Sequence, residues 1–88
     1  MIELVKAGTS DALVINSISK RSFESDVAVG ALIKGGPPGY MSIQFHTKMA
    51  RSNHLYKLLL DGLIIGAAIL FAEGDRLTIG RIFISPEH

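Results

Sequence analysis

Leu77-Thr78-Ile79-Gly80-Arg81-Ile82-Phe83-Ile84, followed by Ser85-Pro86-Glu87-His88, is the stretch that decides the fold. Its apolar run reads as a buried strand. The residues before it supply two more strands. His54–Leu60 is one, and Leu63–Phe71 is the next. Between them Asp61-Gly62 forms a two-residue hairpin turn, because both residues tolerate positive φ. The nearly continuous apolar run of Leu63–Phe71 predicts burial on both faces. Gly66 within it marks a bulge or a close backbone approach. Glu73-Gly74-Asp75-Arg76 then turns the chain into Leu77–Ile84, and the three strands form an antiparallel meander.

Upstream the period changes. Ile2, Leu4 and Lys6 alternate with Glu3 and Val5, which predicts a short first strand. Gly8-Thr9-Ser10 breaks it. Thr9 or Ser10 is placed to cap a helix, with Asp11 favourable near its positive end. No Glu or Gln follows three residues later, so a capping box is not expected there. Ala12, Val14, Ile15, Ile18 and Phe23 recur at three- and four-residue spacing, predicting an amphipathic helix to about Glu24.

From Ser25 to Gly39 the pattern dissolves. Gly30 and Gly35-Gly36-Pro37-Pro38-Gly39 do not belong inside a helix or a central strand. A connection of this length is more often functional than idle. A second helix fits Tyr40–Ser52. Met41, Phe45 and Met49 fall on one stripe there, and Lys48 and Arg51 complement the C-terminal end. The order is strand, helix, helix, meander: an α+β arrangement in one domain spanning 1–88.

Composition narrows the function. At 88 residues the chain buries only roughly 60–65% of its unfolded surface. Yet 48% of it is apolar and 19% charged, more apolar material than a small monomer hides easily, so self-association is expected. The net charge is +1 and the nine basic residues are scattered, with no aromatic-interleaved basic stripe. Nucleic acid is therefore not an expected partner. The absence of cysteine excludes a disulfide scaffold, a thiolate nucleophile and a cysteine-ligated zinc. His46, His54 and His88 show no metal-ligand spacing, so no metal is assigned. Met1–Lys6 is too short and too acidic for a signal peptide, and the longest apolar run, Leu63–Ala72, is far shorter than a membrane span. The expected location is the cytoplasm, with no membrane partner.

Several words of this sequence, in this order, carry a resemblance. Phe23-Glu24-Ser25-Asp26 ends the first helix, and Gly35-Gly36-Pro37-Pro38-Gly39-Tyr40 opens the second. Tyr56-Lys57, Asp61-Gly62 and Ile64-Ile65-Gly66 form the hairpin. Ile79-Gly80-Arg81-Ile82-Phe83-Ile84-Ser85-Pro86-Glu87 closes the series. Together they resemble the N-terminal part of the GNAT superfamily of acetyl-CoA-dependent N-acetyltransferases. The resemblance covers nearly the whole chain and implies a partial acyl-CoA N-acyltransferase fold.

What the resemblance implies about sites follows residue by residue. Backbone groups of the family's fourth strand hold the pantetheine arm of acetyl-CoA; those positions are Ile82, Phe83 and Ile84. The acceptor, a small-molecule or peptide amine, enters near the first helix's end and the second helix, where Phe23, Glu24, Tyr40 and His46 stand. In the family a glycine-rich turn opening a helix follows the fourth strand and cradles the pyrophosphate. This sequence reaches His88 before such a turn, so the expectation is a chain incomplete for catalysis, with no counterpart of the thiolate-protonating tyrosine.

Bland readings stand beside these. Amine acetylation needs a free amine, a polarised carbonyl and a proton source for the thiolate. The Ile84 amide is a candidate carbonyl donor. Glu24 and Asp26 are candidate bases or merely a solvated helix terminus, and His46 faces the acceptor or is a half-buried histidine, so no catalytic residue is assigned. The Gly35–Tyr40 loop is a wall of the acceptor pocket or a rigid helix-entry turn; it is no phosphate cradle, lacking the Lys-Ser/Thr ending. Arg81 is expected to pair with Glu3 or Asp75. An unpaired Leu77–Ile84 edge recruits another strand, which predicts a homodimer through that strand. Two classes remain: an N-acetyltransferase, or a non-catalytic oligomerisation or ligand-binding module that keeps the fold.

Overall fold

Alternation at Ile2–Lys6 and the long apolar runs downstream build one antiparallel sheet. The structure is a computed structural model that describes residues 1–24 and 39–88. The expectations for Ser25-Asp26, Gly30 and Gly35–Pro38 lie outside the described residues. The elements are β1 (Ile2–Lys6), a 3₁₀ turn (Thr9–Asp11), α1 (Ala12–Glu24), α2 (Ile43–Arg51), β2 (Leu55–Leu60), β3 (Leu63–Glu73) and β4 (Arg76–Ile84). The strands lie in the order β1-β2-β3-β4, every neighbouring pair antiparallel.

The hairpin turn is where the sequence placed it. Asp61 and Gly62 both have positive φ, 49° and 87°, and connect β2 to β3. Gly66 answers both readings offered for it. Ile65 is an extra residue between Ile64 and Gly66, which pair with Leu59 and Leu58. A Cβ built on Gly66 would stand 2.4 Å from the Phe83 carbonyl oxygen, so only glycine lets β4 approach here. A second irregularity lies in β4, where Gly80 bulges between Ile79 and Arg81.

Both helices cover the same sheet face. Ile15 and Ile18 from α1, and Ala50 from α2, pack with Leu55, Ala67, Ile69 and Phe83 in one buried cluster. Burying each large aliphatic here contributes about 1.5–3 kcal/mol.

Three boundaries differ from the sequence reading, each for a local reason. α1 is entered through the 3₁₀ turn capped at Gly8, not at Thr9 or Ser10. The Asp11 carboxylate accepts from the Gly8 amide at 2.9 Å and from Lys57 Nζ at 3.1 Å. Those bonds, the Gly8 amide first, hold Asp11 below its ordinary value against the opposing effect of burial. α2 begins at Ile43 rather than Tyr40, because the Ser42 hydroxyl accepts from the Phe45 amide at 3.2 Å. Gly39, at φ +83°, makes the turn before it. β4 is not the buried strand its apolar run suggested: Leu77, Ile79, Ile82 and Ile84 are all exposed, and Phe83 is its one buried residue. Among the described residues no helix is long and apolar enough to cross a membrane.

Candidate functional site

The site begins with the parity of β4. Phe83 pairs with Ala67, Ile82 with Ala68 and Ile84 with Gly66, in unbroken register. The Ser85 amide donates to the Ile65 carbonyl at 2.6 Å. In an antiparallel ladder, bonding groups point alternately to one neighbour and away from it. Ser85 and Phe83 therefore turn their N–H and C=O groups to β3, whereas Ile82 and Ile84 turn theirs to the outer edge, which no strand pairs among the described residues. Of the three residues named as backbone contacts, two are placed to offer them. Phe83 is spent on the ladder, and its side chain is buried, 3% exposed, against the helices.

On the helix side of β4 the residues named for the acceptor come together. The Phe23 ring, in the last turn of α1, lies 5.8 Å from Phe83 and 6.0 Å from Tyr40. The Tyr40 hydroxyl donates to the Glu24 carboxylate at 2.9 Å. That bond raises the phenol above its ordinary value. His46, in α2, lies 6.0 Å from the Phe83 ring. Phe23, Tyr40, Phe83 and His46 thus form one aromatic chain where α1 ends, α2 begins and β4 passes beneath.

His46 is wholly buried, so it meets its neighbours rather than an open cleft. Its Nδ1 lies 2.9 Å from Asn16 Oδ1 and 3.1 Å from the Ser42 carbonyl. Carbonyl oxygens only accept, so Nδ1 carries the proton and Nε2 the lone pair. The Asn16 amide nitrogen donates to the Met41 carbonyl at 3.4 Å, which fixes the orientation of that amide. Burial pushes the His46 imidazole below its ordinary value; the Ser42 bond opposes this and the Arg81 charge adds to it. His46 is therefore a neutral core histidine.

Sequence reading missed Asn16, Phe45 and Arg81 as a working group. Asn16 recurs one turn after Ala12 on the buried stripe of α1, a polar residue in apolar company, and that was the available signal. The Arg81 guanidinium carbon sits 4.8 Å from the Phe45 ring centroid, a cation–π contact that reaches from β4 to α2. Phe45 in turn packs against Gly39, where a Cβ would meet the ring at 2.6 Å.

Beyond the aromatic chain, a recess of about 580 Å³ runs along α2, lined by Met41, Ser42, Ile43, Gln44, Thr47 and Arg51. Among the described residues no group of three or more His, Asp or Glu side chains is placed to hold a metal ion.

Compared with known proteins, the chain matches no family model and no curated sequence. Its fold matches the PaiA N-acetyltransferase of Thermoplasma acidophilum, solved in complex with coenzyme A, with a TM-score of 0.71 at 17% identity. The match covers 100% of this chain and 61% of that one. The chain thus carries the GNAT N-acetyltransferase fold over about three-fifths of that neighbour's length.

Proposed function

We propose that this chain is part of an N-acetyltransferase that moves an acetyl group from acetyl-CoA to a primary amine. The observation that carries the reading is the outer β4 edge, unpaired among the described residues, where Ile82 and Ile84 turn backbone groups outward in a fold shared with an acetyltransferase solved with coenzyme A. A single residue of Cβ-free backbone, Gly66, braces β4 behind this edge.

The residues present fit the arm and carbonyl of such a cosubstrate. The outward groups of Ile82 hydrogen-bond the pantetheine amides, and the Ile84 amide donates to the acyl carbonyl. Acetyl-CoA supplies an activated thioester. The Glu24 carboxylate, held by the Tyr40 hydroxyl, attracts the acceptor's ammonium, and Phe23 and Tyr40 offer it aromatic faces. His46 does not touch the acceptor in this arrangement; it supports Phe83 from behind. The chemistry joins the amine nitrogen to the carbonyl carbon and breaks the carbon–sulfur bond, with the amine's proton ending on the thiolate. The acceptor is a small molecule or a peptide bearing an amine. The cysteine-free composition is in keeping with a cytoplasmic protein.

A second reading is an oligomerisation module that pairs β4 with the β4 of another copy. The exposed Leu77, Ile79, Ile82 and Ile84 favour it. The two readings exclude each other at one place, since an edge filled by a partner strand has no amides left for a cosubstrate.

Calorimetric titration of the 88-residue chain with acetyl-CoA decides between them. Saturable binding at micromolar concentration supports the acetyltransferase reading. An absence of heat, with a β4-paired dimer seen by amide protection, overturns it for this chain.

A further inference from the structure

The chain leaves β4 through a turn that α1 holds from the side. The Ser85 amide donates to the carbonyl of Ile65, the bulged residue of β3, so the bonding reaches one position past β4. The His88 amide donates to the Ser85 carbonyl at 2.9 Å and closes a four-residue turn with Pro86 second. Proline presets the φ that this position needs. The Glu87 carboxylate uses both of its oxygens. Oε2 accepts from the hydroxyl of the buried Ser85, and Oε1 accepts from Arg21 Nη1 at 2.7 Å. The Ser85 hydroxyl first, then the Glu87 backbone amide and Arg21, hold the Glu87 carboxyl below its ordinary value.

Arg21 stands in the last turn of α1, three residues before Glu24. Ile84, whose backbone groups face the outer edge of β4, directly precedes Ser85. One ion pair, between residues 66 positions apart, thus joins the helix end that carries the acceptor's groups to the strand end that carries the cosubstrate's. We propose that Arg21 and Glu87 are positioning residues for acetyl transfer, which act through Ser85 to fix the direction of the Ile84 amide. Neither touches a reactant. The proposal rests on the acetyltransferase reading. The two side chains are 47% and 58% exposed, and an ion pair so exposed adds little to stability. Its effect is on direction: it holds to α1 a turn that Pro86 alone would leave free to swing about β4.

Coenzyme A carries phosphates, so charge and position must be told apart. By charge alone, an anion in place of Arg21 weakens binding, and a cation in place of Glu87 strengthens it. The same strengthening is expected if Arg21 is itself a phosphate contact that Glu87 holds back. By position, both changes weaken binding, because each leaves the turn without its tie.

Calorimetric titration of acetyl-CoA into the wild-type 88-residue chain, Arg21→Glu, Glu87→Arg and the double variant is the test. Each single variant is expected to bind roughly three- to fivefold more weakly, the upper worth of an exposed ion pair. The double variant keeps the wild-type net charge and restores the pair with its signs exchanged, so it is expected to bind more tightly than either single variant. Glu87→Arg binding as tightly as wild type, or more tightly, overturns the proposal and leaves an effect of charge only. A double variant lying between the two singles overturns it as well. In both cases a wild type that binds leaves the acetyltransferase reading standing. A wild type that binds no acetyl-CoA overturns that reading and this proposal with it. Should a charge-reversed variant fail to fold, Ser85→Ala, which changes no charge, decides. Weakened binding at an unaltered melting temperature supports the proposal, and unchanged affinity overturns it.

Discussion

The imidazole Nδ1 of His46 lies 2.9 Å from Asn16 Oδ1, and through that bond α2 is tied to α1. Thirty residues separate the two in sequence, and the described structure has no other side-chain bond between these helices' buried faces at that depth. Both are buried, so neither finds water when its partner is lost. Asn16→Ala leaves the His46 donor with the Ser42 carbonyl alone and the Met41 carbonyl without its amide. The expected cost is about 1–3 kcal/mol. Urea unfolding reads it as a lowered midpoint with unchanged slope, and a midpoint equal to wild type would show the bond to be idle.

The same histidine sets a pH limb. Burial keeps the folded imidazole below its ordinary 6.5, so below that pH the unfolded chain takes a proton that the fold refuses. Stability is full above about 6.5 and falls as pH drops below it, flattening once the folded value is passed. His46→Phe removes this slope. Asp11 makes a second limb of different origin. Its folded value lies under the ordinary 3.8, so its contribution is present above that pH and is lost as pH falls through the folded value. Unfolding free energies at pH 7.5, 6 and 5, taken as wild type minus His46→Phe, isolate the first limb. A difference that does not change with pH in that range removes His46 as its cause.

Glycine at 66 is a steric requirement. A Cβ there meets the Phe83 carbonyl oxygen at 2.4 Å and the Ile84 Cα at 3.1 Å, both backbone atoms that cannot swing aside. Gly66→Ala therefore pushes β4 outward and costs about 2–3 kcal/mol, in the range of overpacked cores. Gly62→Ala is the comparison. It has φ +87° and nothing within 4 Å, so it bears only the strain of positive φ, about 1 kcal/mol. Thermal melts of the two variants order them; an equal loss at both sites would mean β4 yields freely.

The sequence showed the strands better than it showed their surroundings. Asp61-Gly62 and Gly66 announce their roles because turn geometry and close approach are local and glycine-specific. The start of α2 was misplaced by three residues, since Tyr40 and Met41 suit a helix but the Ser42 side chain captures the Phe45 amide. The apolar run of β4 suggests a buried strand, but the helices cover only its Phe83 side and leave Ile82 and Ile84 exposed. Phe23, Tyr40 and His46 were named from a resemblance, and the fold draws them to one aromatic chain around Phe83. Asn16 escaped notice because its partner lies thirty positions away, and nothing in a single helix's pattern reports a partner on another.

The parity of β4 separates the cosubstrate reading from mere fold likeness. Ile84 turns its N–H to the free edge, whereas Phe83 turns its own to β3. Proline removes an N–H and is tolerated where that group faces away from the ladder. Ile84→Pro is therefore expected to keep the fold with a loss of about 1 kcal/mol, and to weaken acetyl-CoA binding about tenfold, the worth of one hydrogen bond to a preorganised donor. Phe83→Pro breaks the ladder and lowers stability by about 3 kcal/mol or more. Calorimetry and thermal melts on the two variants read both axes. Should Ile84→Pro bind acetyl-CoA as tightly as wild type, the β4 edge amide has no part in holding the acyl carbonyl. Should it lose stability as Phe83→Pro does, the Ile84 amide belongs to the ladder and the assignment of the free edge fails with it.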